Sequence, residues 1–177
     1  MKIDIRDWKD FRFGTLISQI YKAKAHTDDE LEFSDFPTKE TIPYVTRTDL
    51  NNGVKAFVYR KGINSIEKGN ALVIGDTTAT VSYQQKEFVT GDHIVIVRAP
   101  WLNMFTGLFI VSILKLEQYR YSYGRAFTMD LVLNTYVKLP AQIDGKPDWK
   151  FIEKFMGGVA HKSYYHFQQA FSQAFGD

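Results

Sequence analysis

The chain has 177 residues, 45% of them hydrophobic, which is enough to bury one sizeable core and fits a single domain. It contains no cysteine, which excludes disulfides and thiolate metal sites and fits a reducing compartment such as the cytoplasm. The net charge of +2 does not require a polyanionic partner, but residues 28–40 hold six carboxylates against one lysine, which leaves about +7 elsewhere. Both an ordinary acidic loop and a basic binding face fit this distribution.

The N-terminal part of the chain shows no targeting or membrane segment. Its first residues are charged and lack the apolar core of a signal peptide. The longest apolar stretch, residues 102–116, is shorter than the roughly 20 residues that cross a bilayer, so no membrane partner is expected. Residues 8–20 predict a short helix or turn that runs into a first strand, and the polar segment 21–41 predicts a long surface loop.

The middle of the chain predicts a β-rich body. Five segments rich in β-branched and aromatic residues have the pattern of strands: residues 42–46, 54–59, 71–74, 78–83 and 94–98. Turn signals separate them at Gly53, Gly75 and Gly91, and these glycines are expected to supply turn conformations.

Helical spacing returns after Pro100 and predicts a buried helix over residues 102–118. Residues 126–139 predict one or two further strands. Beyond Pro147 an apolar stripe predicts a helical tail that is broken or kinked at Gly157-Gly158. The expected fold class is therefore α+β, with a strand-rich body, a buried helix and a C-terminal helical tail.

The sequence lacks the reacting groups of common enzyme designs. Its four histidines have no metal-binding spacing, and it has no glycine-rich phosphate loop and no GxSxG motif. Two combinations remain available to a small magnesium-dependent nuclease: Asp148 with Glu153-Lys154, and Asp76 with Glu87. No catalytic residue, metal site or directly bound cofactor is predicted, and the nuclease stays open as an alternative.

Polar and aromatic side chains of the kind that contact DNA gather beside the predicted turns. Arginine pairs with guanine, asparagine and glutamine pair with adenine, and lysine, threonine and tyrosine reach phosphate. The candidate DNA-binding residues are Arg47, Thr48, Asn51, Asn52, Lys61, Tyr83, Gln84, Gln85, Lys86, Arg120, Tyr121, Tyr123 and Arg125. On composition alone, ordinary hydrophilic loops are the simpler explanation.

An ordered series of short motifs covers the chain from Trp8 to about Phe155. The motifs are Trp8 with Phe11 and Gly14, Ile42 to Arg47, Asn51 to Gly53, Asn70, Ile74-Gly75, Tyr83-Gln84, Phe88 to Asp92, Tyr121 to Gly124, Leu139-Pro140, and Gly145 with Pro147 to Trp149. In order and spacing they resemble the target recognition domains of type I restriction-modification specificity subunits. The specificity subunits of the related type IIB systems are the most similar.

The resemblance implies a function that the patterns alone do not. Members of this family join a β-rich recognition domain to a long helix, and a full subunit has two such units, each of which reads half of a split DNA site. A methyltransferase subunit then flips out an adenine and methylates it with S-adenosylmethionine, a cofactor bound by that partner. Double-stranded DNA, a methyltransferase subunit and a second copy or second recognition unit are thus the implied partners. The chain itself is expected to be a non-catalytic specificity component.

Applied to this chain, the resemblance implies a recognition domain over residues 1–150 and a helical docking segment over residues 151–177. The chain has only one unit and a short tail, which leaves its role in a complete restriction system open. Partner docking is assigned to the aromatic stripe Tyr164, Phe167, Phe171 and Phe175, and packing of this stripe on its own domain is the alternative.

Motifs shared by proteins that read different sequences should not carry sequence specificity. Specificity is therefore expected in the less patterned loops 22–40, 60–68 and 120–125. Trp8 and Trp149 are expected in the core or at a docking surface. A third hypothesis is a protein-interaction module that regulates a restriction complex without touching DNA.

Overall fold

The computed structural model describes residues 4–121 and 125–175 of the chain, with side chains to residue 166. Within these ranges the fold is α+β, as predicted, with ten strands and three α-helices. The strands are β1 (Lys9–Arg12), β2 (Gln19–Lys22), β3 (Phe33–Ser34), β4 (Thr41–Val45), β5 (Val54–Tyr59), β6 (Ala71–Gly75), β7 (Thr80–Gln84), β8 (Val89–Thr90), β9 (Ile94–Arg98) and β10 (Tyr136–Leu139). The helices are α1 (Met104–Lys115), α2 (Met129–Asn134) and α3 (Trp149–Phe175).

The centre of the fold is an antiparallel four-stranded sheet in the order β2–β9–β6–β7. Alternate residues of β6 enter different cores: Leu72 and Ile74 face the helices, whereas Val73 faces a second sheet. Both faces are therefore covered, and β6 and β7 are buried along their whole length. This explains why β6 is continuously apolar or small, whereas β7 also buries the polar residues Thr80, Ser82 and Gln84.

The second sheet has the order β3–β5–β4–β8, with β4 and β8 parallel. A register shift between Tyr44 and Val45 bends β4 where it meets β5. The sheet covers Val73 with its inner side, and its outer side holds a small core that includes Ile42 and Val58. A separate ribbon pairs β1 with β10.

Helix α1 covers the other face of the central sheet. The Asn103 side chain accepts hydrogen bonds from the backbone of Phe105 and Thr106, so the helix begins at Met104 rather than at the predicted residue 102. Gly107 lies against the Tyr83 ring, and a Cβ at Gly107 would meet Tyr83 Cδ2 at 2.5 Å. Helix and edge strand thus approach as closely as a glycine permits.

Helix α3 is continuous from Trp149 to Phe175, so the predicted break at Gly157-Gly158 was wrong. Glycine lowers helix propensity by about 1 kcal/mol per residue without forbidding the helical conformation, and a Cβ at either glycine would meet nothing within 4 Å outside the helix's own backbone. The start of the helix packs on the domain: Ile152 is fully buried, and Trp149 stacks on Trp101 with centroids 4.1 Å apart. From residue 158 to residue 166 every residue is exposed.

Two further predictions needed correction. Residues 126–139 hold α2 as well as the strand β10, because Thr128 accepts a hydrogen bond from Leu131 N and begins a helix that strand periodicity does not reveal. The predicted loop 21–41 contains the end of β2, a 3₁₀ turn over Asp28–Glu30 and the short strand β3. The five predicted strands of the middle of the chain are confirmed, two with the predicted bounds and three with ends shifted by one or two residues.

The predicted turn glycines differ in role. Gly53 has a φ of +82°, as a turn glycine should. Gly75 and Gly91 do not have positive φ, so for them the expected reason was wrong. At these two positions a side chain would collide with a neighbour. A Cβ at Gly75 would lie 2.8 Å from Arg47 Cγ, and one at Gly91 would lie 3.0 Å from the Tyr44 hydroxyl.

None of the helices in the described ranges has the length and apolar character needed to span a bilayer.

The close approach of α1 to β7 gives a prediction with a matched control. Gly107→Ala should lower the free energy of unfolding by about 1–3 kcal/mol, because the added methyl group overlaps the Tyr83 ring. Gly158→Ala should raise it by about 0.5–1 kcal/mol, since that methyl group meets open space in a helix. Urea unfolding of both variants measures the two values. A stabilising Gly107→Ala would contradict the packing described.

Candidate functional site

Candidate DNA-binding residues from two distant segments, one after β4 and one after α1, meet at one end of the central sheet. Arg47 follows β4, and its Nη1 donates to Thr77 Oγ1 at 2.5 Å in the turn between β6 and β7. The segment after α1 reaches the same place, where Gln118 Nε2 donates to Asp49 Oδ2 at 2.7 Å. We call this end the arginine end and define it by Arg47, Thr48, Arg120, Tyr121 and Arg125.

The arginine end presents exposed guanidinium groups on an ordered support. Arg120 Nη1 forms an ion pair with Glu117 Oε2 at 3.1 Å, and Arg120 Nε donates a hydrogen bond to the Tyr119 hydroxyl at 2.8 Å. The Tyr119 hydrogen bond and then the Glu117 charge raise the pKa of Arg120, which therefore stays charged at any physiological pH. The half-buried Tyr121 stacks on Phe127 with centroids 4.3 Å apart and anchors the segment.

The segment that follows Tyr121 contains two more candidate residues, Tyr123 and Arg125. Arg125 is exposed and its Nη1 donates to the Arg120 carbonyl at 3.5 Å. Tyr123 lies outside the described residues, so its predicted DNA contact stays a prediction.

A second group of candidates meets at the opposite end of β7. Gln85 and Lys86 lie on the exposed turn that follows this strand, and Lys61 lies just after β5. Arg60 and Glu87 join the two turns through an ion pair. We call this end, with Lys61, Gln85 and Lys86, the lysine end. It lies roughly 17 Å from the arginine end, which is the length of a five-residue strand.

Three other candidates lie in the scaffold between the two ends. Tyr83 and Gln84 are each only 5% exposed. Asn52 Nδ2 donates to the Tyr83 carbonyl at 2.7 Å, and Gln84 Nε2 donates to the Asn52 carbonyl at the same distance. Because β7 is an edge strand, the Asn52 amide occupies the place of a missing neighbouring strand.

The turn that carries Asn52 has an unusual backbone. Asn51 and Asn52 have φ values of 47° and 55°, in the left-handed region that asparagine and glycine tolerate best. Gly53 follows, and a Cβ there would lie 2.9 Å from Ser82 Oγ. The motif therefore docks this turn onto β7 through the Asn52 hydrogen bonds, while Asn51 and Asn52 both remain exposed to solvent.

Sequence reasoning missed a polar depression beside Arg47. It is lined by His26, Asp28, Tyr44, Lys55, Thr78 and Asp92, together with Arg47 and three further residues. Lys55 Nζ lies 2.7 Å from Asp28 Oδ2, and this hydrogen bond lowers the pKa of Asp28. Burial, followed by the Asp28 charge, raises the pKa of Tyr44 to about 12, so its hydroxyl remains a neutral donor to the His26 carbonyl. The residues come from distant segments, which is why no sequence motif shows them.

The carboxylates considered for a nuclease do not form a common site. Asp76 and Glu87 lie beyond opposite ends of β7. Asp148 Oδ1 accepts a hydrogen bond from Phe151 N at the start of α3, and Glu153 accepts one from Asn103. In residues 4–121 and 125–166, no three metal-ligating side chains lie close enough to hold an ion.

The burial of Asp76 is a second feature that the sequence did not reveal. This residue is 8% exposed, and its Oδ1 has no hydrogen-bond partner among the described residues. His93 Nδ1 lies 3.3 Å from that oxygen, and Lys22 Nζ lies 3.9 Å from the other. A lysine and a histidine ring thus flank a buried carboxylate behind the arginine end.

The predicted docking stripe lies on the distal part of α3. Tyr164 is 62% exposed. The side chains of Phe167, Phe171 and Phe175 lie outside the described residues, although the helix that carries them continues to Phe175. Partner docking through this stripe stays a prediction.

Comparison with known proteins identifies the family. Residues 5–162 match the model of the type I restriction modification DNA specificity domain. The chain belongs to this family. It is also 26% identical over 125 residues to the specificity subunit S.BcgI of the type II restriction enzyme BgcI from Heyndrickxia coagulans. The resemblance inferred from the motifs is confirmed.

The fold agrees with solved specificity subunits. The HsdS subunit from Thermoanaerobacter tengcongensis superposes with a TM-score of 0.58 and 11% identity over 99% of this chain. The type I S subunit from M. genitalium gives a TM-score of 0.61 and 11% identity over 95% of this chain. The chain spans 42% of each of these proteins and 36% of S.BcgI, and the alignment with S.BcgI covers 68% of this chain. The chain therefore spans less than half the length of each of these relatives.

The asparagine pair offers a test of the scaffold role. Asn52→Ala should lower the free energy of unfolding by about 1–3 kcal/mol more than Asn51→Ala, because it leaves buried backbone groups of Tyr83 without partners. Both variants place alanine in the left-handed region, so the backbone cost cancels in the comparison. Chemical unfolding of the two variants measures the difference. Equal losses would show that the Asn52 hydrogen bonds contribute no stability.

Proposed function

We propose that this chain is the DNA-reading module of a restriction-modification system and recognises one half-site of a split target sequence. The family match over residues 5–162 carries the proposal. The arrangement of the exposed arginines and lysines supports it, because such side chains supply both kinds of contact that a DNA-reading protein needs.

The arginine end is the proposed source of base recognition. Arg47, Arg120 and Arg125 are exposed, and a guanidinium group forms two parallel hydrogen bonds to guanine in the major groove. Each well-formed contact of this kind discriminates against a wrong base by about 1–3 kcal/mol. Arg120 and Arg125 flank the loop 120–125, which is one of the three segments expected to vary among proteins that read different sequences.

The lysine end is the proposed source of sequence-independent affinity. Lys61 and Lys86 are exposed and are placed to neutralise backbone phosphates, which releases counterions and makes binding depend on salt. Gln85 and Asn51 remain available for polar contacts, as does Thr48. We leave Asn52, Tyr83 and Gln84 out of the proposed contact surface, since their hydrogen bonds hold the scaffold together.

We further propose that the chain performs no covalent chemistry and directs a methyltransferase subunit, which supplies S-adenosylmethionine. Residues 1–150 form the recognition part in this proposal, and residues 151–177 form the docking segment. Helix α3 begins at Trp149 and packs on the domain as far as Met156, while residues 158–175 extend for roughly 27 Å. Because an isolated helix of this length is marginal in water, a partner helix is expected to cover it. That helix belongs to a second recognition unit or to the methyltransferase.

DNA reading is tested by selection from a library of random duplexes at two salt concentrations. Arg120→Ala and Arg125→Ala should change the preferred sequence, because they remove base contacts. Lys61→Ala is the charge-matched control and should weaken binding to all duplexes alike. The isolated chain should bind weakly and more tightly when a second unit is linked to it.

Three outcomes would contradict this function. A uniform loss for all variants would refute base reading by Arg120 and Arg125. Magnesium-dependent cutting of the library by the chain alone would instead identify a nuclease. Partner binding without affinity for any duplex would identify an interaction module.

Docking through α3 is tested by truncation after Gly158. The residues that pack on the core, Ile152 and Met156 among them, remain in the shortened chain, so its thermal midpoint should change little. Self-association and methyltransferase binding should be lost, since the projecting part of the helix is removed. Analytical ultracentrifugation with and without a methyltransferase subunit measures both. Unchanged assembly would refute the docking role.

A further inference from the structure

A concave depression lies at the lysine end, between the turn before β4 and the turn after β7. It is lined by three cationic side chains and one carboxylate, those of Lys39, Arg60, Lys86 and Glu87. Prolines and threonines of the segment 37–43 form the rest of its wall. We call it the basic notch. Lys39 and Arg60 were not named individually as candidate DNA-binding residues, although they lie in the segments 22–40 and 60–68 in which specificity was expected.

The wall that carries Lys39 is ordered by its own hydrogen bonds. Thr38 N donates to Thr41 Oγ1 at 2.8 Å, and Glu40 N donates to Thr38 Oγ1 at 3.2 Å. Arg60 N donates to the Glu40 carbonyl at 2.9 Å and ties this turn to the end of β5. The backbone of Lys39 therefore has a fixed position beside Arg60.

The opposite wall is equally well fixed. Glu67 and Phe88 exchange two backbone hydrogen bonds of 2.8 and 3.1 Å across the base of the turn that carries Lys86. Gly69 packs directly under this turn, where a Cβ would lie 2.7 Å from the Lys86 carbonyl carbon. Only the long side chains of the notch keep freedom to adjust to a ligand.

The charges in the notch are incompletely compensated. Glu87 forms an ion pair with Arg60. Lys39 and Lys86 have no ion-pair partner in the described part of the chain. Positive groups that converge on one concavity repel one another, and an anion bound between them removes that repulsion. The notch therefore has the charge needed to bind an anion with several acceptor oxygens.

We propose that the basic notch binds a phosphodiester group of the DNA backbone, an inference that rests on the proposed DNA-reading function. The two non-bridging oxygens of the phosphate accept hydrogen bonds from the ammonium groups of Lys39 and Lys86 and from the Arg60 guanidinium. Such a contact carries no sequence information. It fixes where the duplex lies on the domain, and so which bases meet the arginine end.

The dimensions of the domain fit this arrangement. The notch lies beyond one end of β7 and the arginine end beyond the other, roughly 17 Å apart. One turn of B-DNA is about 34 Å long, so a single duplex contacts both ends within one turn.

The test compares two double variants of the full chain by fluorescence anisotropy with labelled duplex over a series of salt concentrations. Lys39→Ala with Lys86→Ala should weaken binding about tenfold at low salt and reduce the slope of log affinity against log salt by about 1, with the preferred sequence unchanged. Lys150→Ala with Lys154→Ala removes the same charge from the first turns of α3 and should leave the slope unchanged. Thermal melting verifies that each variant is folded.

A third variant gives an effect that a purely structural role would not produce. Glu87→Gln keeps the shape of the side chain and removes the one negative charge of the notch, so binding should tighten by up to about fivefold. Weaker or unchanged binding by Glu87→Gln would overturn the proposal, as would equal losses in the two lysine double variants. Sequence-selective binding by the wild type with unchanged notch variants refutes the notch alone. A wild-type chain that binds no duplex refutes the DNA-reading function as well.

Discussion

The burial of the central sheet on both faces is the constraint on which the rest of the structure depends. Helix α1 covers one face and the second sheet covers the other, so β6, β7 and most of β9 have no side chain free for a ligand. Polar residues that need solvent are confined to the turns beyond the strand ends. The two clusters of exposed cations therefore lie at opposite ends of β7, and the distance between them is fixed by the length of that strand.

The free edge of β7 is closed by side chains rather than by another strand. Asn52 satisfies the Tyr83 backbone on that edge, while Gly107 lets α1 approach the Tyr83 ring on the adjacent face. The docked turn also affects Arg47, which lies five residues before Asn52. The Arg47 guanidinium donates a hydrogen bond to Thr77. A change that loosens the turn is expected to move the Arg47 guanidinium relative to the other arginines.

Helix α3 divides into a half that belongs to the domain and a half that extends beyond it. The Trp149–Trp101 stack and the buried Ile152 fix its direction at the start. Gly157 and Gly158 stand where the helix leaves the core, and no neighbour there requires a glycine. Their cost in helix propensity makes this junction the weakest point of the helix, which is consistent with a segment whose stability depends on a partner.

The amino-acid sequence determined the α+β class, five strands, the buried helix and the family. These properties depend on local periodicity, on turn residues and on the order of short motifs. Local patterns cannot show burial or hydrogen-bond partners, so they did not reveal that Tyr83 and Gln84 are buried and that both form hydrogen bonds with Asn52 across 31 or 32 residues of chain. The same limit hides the notch, because Lys39, Arg60 and Lys86 share it only after β4, β5 and β7 have been assembled. Which polar residues remain free to meet a ligand was decided by tertiary packing, since packing determines which donors and acceptors are consumed inside the fold.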